Sequence, residues 1–199
     1  MFDHLFGAFV VFAFVASITP GPNNIMLMKS GLNFGFARTR PILFGVPVGF
    51  ALMVAIVGLG LGAFFTAYPA AYTVVKYAAA VYLVYLAWMI ANAGPMKDGD
   101  ASGRPFSFLE AVAFQWVNPK GWAMAVGAAS TYAAFAAFPF NMLAMAFVFG
   151  ACGVVSSLIW VWFGTSLRRV VTDARTMRIF NIVMAVLLIA SLIPVLGDL

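Results

Sequence analysis

The chain has 199 residues, of which 64% are hydrophobic and only 9% charged, a composition that excludes an ordinary soluble globular domain. The net charge of +5 does not point to nucleic acid, because its basic residues fall between apolar runs, where membrane topology alone requires them. Cys152 and His4 are the only residues of their kinds, which excludes an intrachain disulfide and a Cys/His metal site.

A helix crossing the hydrocarbon core needs ~20 apolar residues. The sequence offers six such runs, about 5–28, 42–65, 73–94, 107–134, 142–166 and 179–197. The predicted fold is therefore all-α and integral to the membrane, with six transmembrane helices in one domain over 1–199. Met1-Phe2-Asp3-His4 lacks the positive segment of a secretory signal, so the first run is expected to stay as a span.

Run one carries Thr19-Pro20-Gly21-Pro22-Asn23-Asn24 in otherwise apolar surroundings. Proline removes a backbone donor and blocks a helical carbonyl, so the helix is expected to break here and leave polar backbone groups without partners. In hydrocarbon such a break survives only packed in protein or lining a wet cavity. Lys29, Asn33 and Gly35 then predict a basic loop.

Run two is expected to begin after Pro41, with a kink at Pro47. Its Gly45, Gly49, Gly58 and Gly62 let helix backbones approach closely, and would permit a homodimer if they faced outward. Run three places Tyr77, Tyr82 and Tyr85 deep in the span, where a hydroxyl needs a partner, either across a helix contact or in a cavity. Lys76 is expected to snorkel to the interface. The polar stretch from Asn92 to Pro105 reads as the linker between halves, with repeat one at about 1–95, the linker at about 96–105 and repeat two at about 106–199.

Run four holds a second polar interruption, Gln115-Trp116-Val117-Asn118-Pro119-Lys120-Gly121. Runs five and six are plainer. The connections near 66–72 and 135–141 and both termini lack Lys and Arg, so both ends are predicted outside.

Each half thus opens with a span broken at proline, Pro22 in one and Pro119 in the other. Three spans per half invert the second half relative to the first, the 3+3 plan of secondary transporters that bind substrate at interrupted helices near the midplane. At ~1.5 Å per residue the first break lies ~20 Å from the outer surface and the second ~18 Å from the inner one, so the two can meet. Pro22 and Pro119 suit the first position of a new half-helix, Asn118 its cap, and Asn23 and Asn24 its opening turn. Two positive helix ends at one cavity favour an anion or carboxylate. Lys120, the only basic residue in the middle of a span, has no acid at matching depth and needs water, a backbone carbonyl or a negative substrate group as partner. Gln115, Asn118, Asn23 and Asn24 add neutral donors and acceptors. The absence of a central acid argues against a free cation, and a zwitterion fits best.

These residues also resemble a family. Ser17 to Asn24, the glycine-rich second span and Gln115 to Gly121 are similar to the lysine exporter (LysE/RhtB) family of amino-acid exporters, over essentially the whole chain. The resemblance implies export from the cytoplasm across the bacterial inner membrane, driven by the proton motive force. It places substrate contacts on Pro20, Gly21, Pro22 and Asn23 and on Asn118, Pro119 and Lys120. Ala79 and Ala80 stand where members often have glycine. Asn24 after the Pro-Gly-Pro-Asn motif resembles the neutral branch, of homoserine, threonine or cysteine type. Export of basic amino acids and a non-transporting structural role are the alternatives. Acid–base or metal chemistry would need clustered His, Asp, Glu or Cys, which the runs lack, so neither an enzyme nor a cofactor is expected.

Overall fold

The structure, a computed structural model, describes residues 2–61, 67–92, 104–167 and 174–190, and every regular element among them is helical. Most of the expected linker lies outside the described residues, as do Gly62, Lys97, Arg168, Arg169 and Pro194; so do the side chains of Tyr72, Lys76, Ala79, Ala80 and Tyr82. Helix α1 (Phe2–Ile18) ends before Thr19, and α2 (Pro22–Ile56) begins at Pro22, whose missing N–H is harmless in a first turn. A π-helical turn, Val57–Leu61, continues α2. Then come α3 (Pro69–Ala91), α4 (Phe108–Phe114), a 3-10 turn at Gln115–Val117, α5 (Pro119–Tyr132), a 3-10 turn at Ala133–Phe135, α6 (Phe140–Leu167) and α7 (Ala174–Ala190).

Two expectations for the first basic segment are corrected. No loop separates runs one and two: Lys29, Arg38, Arg40 and Pro41 all lie within α2. The chain turns instead at Gly35, whose φ of 74° and ψ of 173° lie where a Cβ is disfavoured. Thr39 Oγ1 donates to Gly35 O at 2.7 Å and lies 3.1 Å from Ser30 Oγ, which ties the two sides of the turn together. Pro47 lies inside the helical stretch that follows this turn.

Helix α4 starts on a capping box. Glu110 N donates to Ser107 Oγ at 3.3 Å and Ser107 N to Glu110 Oε2 at 2.8 Å. Arg104 donates to both carboxylate oxygens at 2.5 and 2.7 Å, so Glu110 is committed at this end of the helix.

Helices α2 and α6 form the most extensive pairing and run antiparallel, Gly31 lying by Val161 and Thr165 and Gly153 by Pro47. The approach is close: a Cβ on Gly31 would come 2.5 Å from Val161 O, and one on Gly164 would overlap Met28 O. Helix α4 lies just as close along α2 but parallel to it, with Gly45 against Phe108 and Gly49 against Val112. Gly58 faces Met142, so these glycines serve packing inside the chain. Phe9, Phe50, Met53, Trp122, Met145 and Phe149 form the main buried cluster, Phe149 meeting Phe9 and Phe50 edge-on at 5.3 and 5.1 Å between centroids.

The outward faces are as apolar as the core. Leu109, Phe147, Val81 and Trp162 are all more than half exposed, a surface that would associate in water and is at rest in hydrocarbon. Tyr77 and Tyr85 lie on this outer surface and do not line the cavity described below. Among the described residues, Pro22–Gly60 and Phe140–Leu167 are long and apolar enough to cross a membrane, with mean hydropathies of 2.5 and 2.2.

Candidate functional site

A helix end buried in apolar surroundings must hand its last carbonyls to some donor. At the end of α1 the donors are side chains from three other helices. Ser17 O accepts from Ser156 Oγ and from Asn24 Nδ2, both at 2.8 Å. Ile18 O accepts from Trp160 Nε1 at 3.1 Å. Thr19 O accepts from Asn24 Nδ2 and Lys120 Nζ, both at 2.8 Å, and Pro20 O lies 3.4 Å from Lys120 Nζ. Ser156 and Trp160 are four apart on α6, so one helix face supplies both of its donors.

Two helices start at this place. Gly21 is extended and has no side chain to cap α2, and Asn118, extended at φ −95° and ψ 104°, leaves α5 without a side-chain cap. The cap expected from Asn118 is thus not made. The Asn118 side chain is buried, and its Oδ1 has no hydrogen-bond partner. Lys120, in the first turn of α5, reaches across to α1, so that a Cβ on Gly21 would sit 2.9 Å from Lys120 Cδ. Of the kinds of partner open to Lys120, the structure shows backbone carbonyls, those of Thr19 and Pro20. These belong to the negative end of α1, which compensates the ammonium without an acid.

Between the two interruptions lies a cavity of about 450 Å³, counting the space at its mouth. Of the residues singled out in the sequence, Gly21, Pro22, Asn23, Asn24, Asn118 and Lys120 line it. Pro20, Gln115 and Pro119 do not. Gln115 is fully buried behind the wall and is satisfied there: Asn23 Nδ2 donates to its Oε1 at 2.8 Å, and its Nε2 donates to Asn23 Oδ1 at 3.2 Å and Ala111 O at 3.0 Å. It orients Asn23 and is not itself a cavity donor.

The remaining wall comes from Ser17 and Pro47, singled out in the sequence on other grounds, and from residues that the sequence reading passed over, chiefly Phe50, Gly153, Ser156 and Ser157. The adjacent serines in the middle of run five were the available signal. The described lining has no Asp or Glu. It therefore offers one cation, two uncapped helix starts, small neutral polar groups and an apolar side formed by Val46, Phe50 and Met124.

The chain matches the LysE type translocator family over residues 14–191. It is similar to the cysteine/O-acetylserine efflux protein of Escherichia coli strain K12, 30% identical over 187 residues that cover 93% of this chain and 94% of the relative. The protein of the same name from Escherichia coli O139:H28 is 31% identical over the same share of both chains. That from Shigella flexneri is 30% identical over the same length. No solved structure matches the chain. A match over nearly the full length, both interrupted motifs included, carries one conclusion: the chain belongs to the LysE type translocator family and is a membrane transporter, not an enzyme.

Proposed function

We propose that this chain is a secondary transporter that exports small neutral amino acids or their derivatives from the cytoplasm, driven by the proton motive force. Its cargo is of the cysteine, O-acetylserine, homoserine or threonine type. The chain sits in the bacterial inner membrane with both termini outside, as a 3+3 inverted repeat with its first and fourth spans broken at proline. The observation that carries the reading is the cavity between the starts of α2 and α5, with Lys120 in its wall and no described acid facing it.

The substrate carboxylate is held between the two helix starts and Lys120, and the side chain lies toward Val46, Phe50 and Met124. A cation as cargo would meet Lys120 without a counter-charge, which disfavours basic amino acids. The names of the similar proteins, cysteine/O-acetylserine efflux proteins, support the same choice. Alternating access follows from rocking one repeat against the other around the cavity. Gly21, Pro22, Asn23, Asn24, Asn118 and Lys120 form the substrate site, with Pro20 and Pro119 setting the two interruptions beside it and Gln115 as a positioning residue behind Asn23.

The test is export from cells. The chain, expressed in a bacterium stripped of its own exporters, should raise extracellular cysteine, O-acetylserine, threonine or homoserine and leave lysine and arginine unchanged. Export of the basic amino acids alone, or of none of the panel, would overturn the assignment.

A further inference from the structure

We propose that Asn118 Oδ1 is the acceptor that reads the substrate's ammonium group, so that this single atom restricts the cavity to ligands with a donor beside their carboxylate. The assignment rests on the transport reading above and gives one atom a role within it. Asn118 is 2% exposed and lines the cavity. Among the described residues its Oδ1 is the one buried side-chain nitrogen or oxygen with no hydrogen-bond partner. A buried carbonyl oxygen left unpaired is costly, and such a group in a native protein calls for an explanation.

Two internal explanations fail. An asparagine at this position ordinarily turns its oxygen onto the amides of its own first turn, and Asn118 makes no such bond. Neighbouring donors bond other acceptors. Asn24 Nδ2 is on Ser17 O and Thr19 O, Asn23 Nδ2 on Gln115 Oε1, Ser156 Oγ on Ser17 O, and Lys120 Nζ on Thr19 O. Asn118 itself lines the cavity, so the donor that its oxygen lacks can arrive with a ligand.

Its place in the chain says which donor. Asn118 stands two residues before Lys120, at the start of the helix whose positive end suits a carboxylate. An acceptor next to an anion site fits a ligand whose ammonium and carboxylate share one carbon, and it misses one whose ammonium lies several bonds away. The residue type matters too. A carboxamide accepts from an ammonium without bringing a charge, whereas an aspartate here would pair with Lys120 and close the anion site against the substrate.

The test varies protein and ligand together. Equilibrium binding to the full-length chain in detergent is measured with O-acetylserine, with 3-acetoxypropionate, which is the same molecule without its amino group, and with a γ-amino acid, 4-aminobutyrate. The native protein should prefer O-acetylserine to both others. Asn118→Ala should weaken O-acetylserine by about 10- to 100-fold, as expected for a hydrogen bond to a charged group, and leave 3-acetoxypropionate within about 2-fold. Asn118→Ser, which keeps an acceptor, should retain part of the preference and guards against loss by misfolding. Equal weakening of both ligands by Asn118→Ala, or a native protein indifferent to the amino group, overturns this assignment and leaves the carboxylate site standing. A native protein that binds none of the three overturns the transport reading, and this assignment with it.

Discussion

The side-chain amides of Asn23 and Gln115 exchange two hydrogen bonds, at 2.8 and 3.2 Å, and so join the start of α2 to the turn that follows α4. Truncating either partner strands the other's polar atoms. Gln115→Ala and Asn23→Ala should each cost ~1–3 kcal/mol. The double variant should cost less than their sum, with a coupling of ~0.5–3 kcal/mol. Thermal unfolding in detergent gives all four corners of the cycle, and strictly additive losses would contradict the pairing.

Gly21 and Gly164 are both tight, for different reasons, and should fail differently. A Cβ at Gly21 meets the flexible Lys120 side chain at 2.9 Å, and the extended backbone there accepts any residue. Gly21→Ala should therefore displace Lys120 from Thr19 O, reduce export, and cost under ~1 kcal/mol of stability. Normal export by this variant would show that the Lys120 position is not critical.

At Gly164 the obstacle is the backbone carbonyl of Met28, which cannot step aside. Gly164→Ala should part α2 from α6 and cost ~1–3 kcal/mol, as overpacking does. The check is the melting temperature against Gly127→Ala, where no neighbour lies within 4 Å and no loss is expected.

Lys120 donates to the carbonyls of Thr19 and Pro20 and supplies the only charge of the described cavity wall. Lys120→Ala should remove export from cells while membrane levels of the protein stay normal. Lys120→Arg keeps the charge but brings a planar guanidinium that does not reproduce the single contact of an ammonium, so it should restore little. Full export by Lys120→Ala would remove this residue from the site.

Much of this was legible in the residues because hydrocarbon makes polar backbone expensive. The interruptions at Thr19 to Asn24 and at Gln115 to Lys120 stand out in apolar runs, and Lys120 stands out as a mid-span charge. What side chains do at an interruption was less legible. Asn118 holds the cap position of α5, and its side chain makes no cap bond. Gln115 looks like a cavity group by neighbourhood and is spent on Asn23. The turn between the first two runs falls where Lys29, Asn33 and Gly35 mark it, but one glycine at positive φ makes the bend within helical chain in place of a loop. Ser156 and Ser157 were passed over because serine hides easily in a span, its hydroxyl being able to bond a carbonyl of its own helix. Ser156 bonds Ser17 of α1 instead, and only the tertiary arrangement shows it.

The most direct measurement is efflux from reconstituted vesicles loaded with labelled O-acetylserine, with a proton gradient imposed and then collapsed by an uncoupler. The native chain should release the label at a rate that the gradient raises and the uncoupler lowers, and Lys120→Ala should release it no faster than loaded vesicles without protein. Gradient-driven release that is unchanged by Lys120→Ala, or no release from vesicles holding the native chain, would contradict the proposal that this cavity carries the substrate.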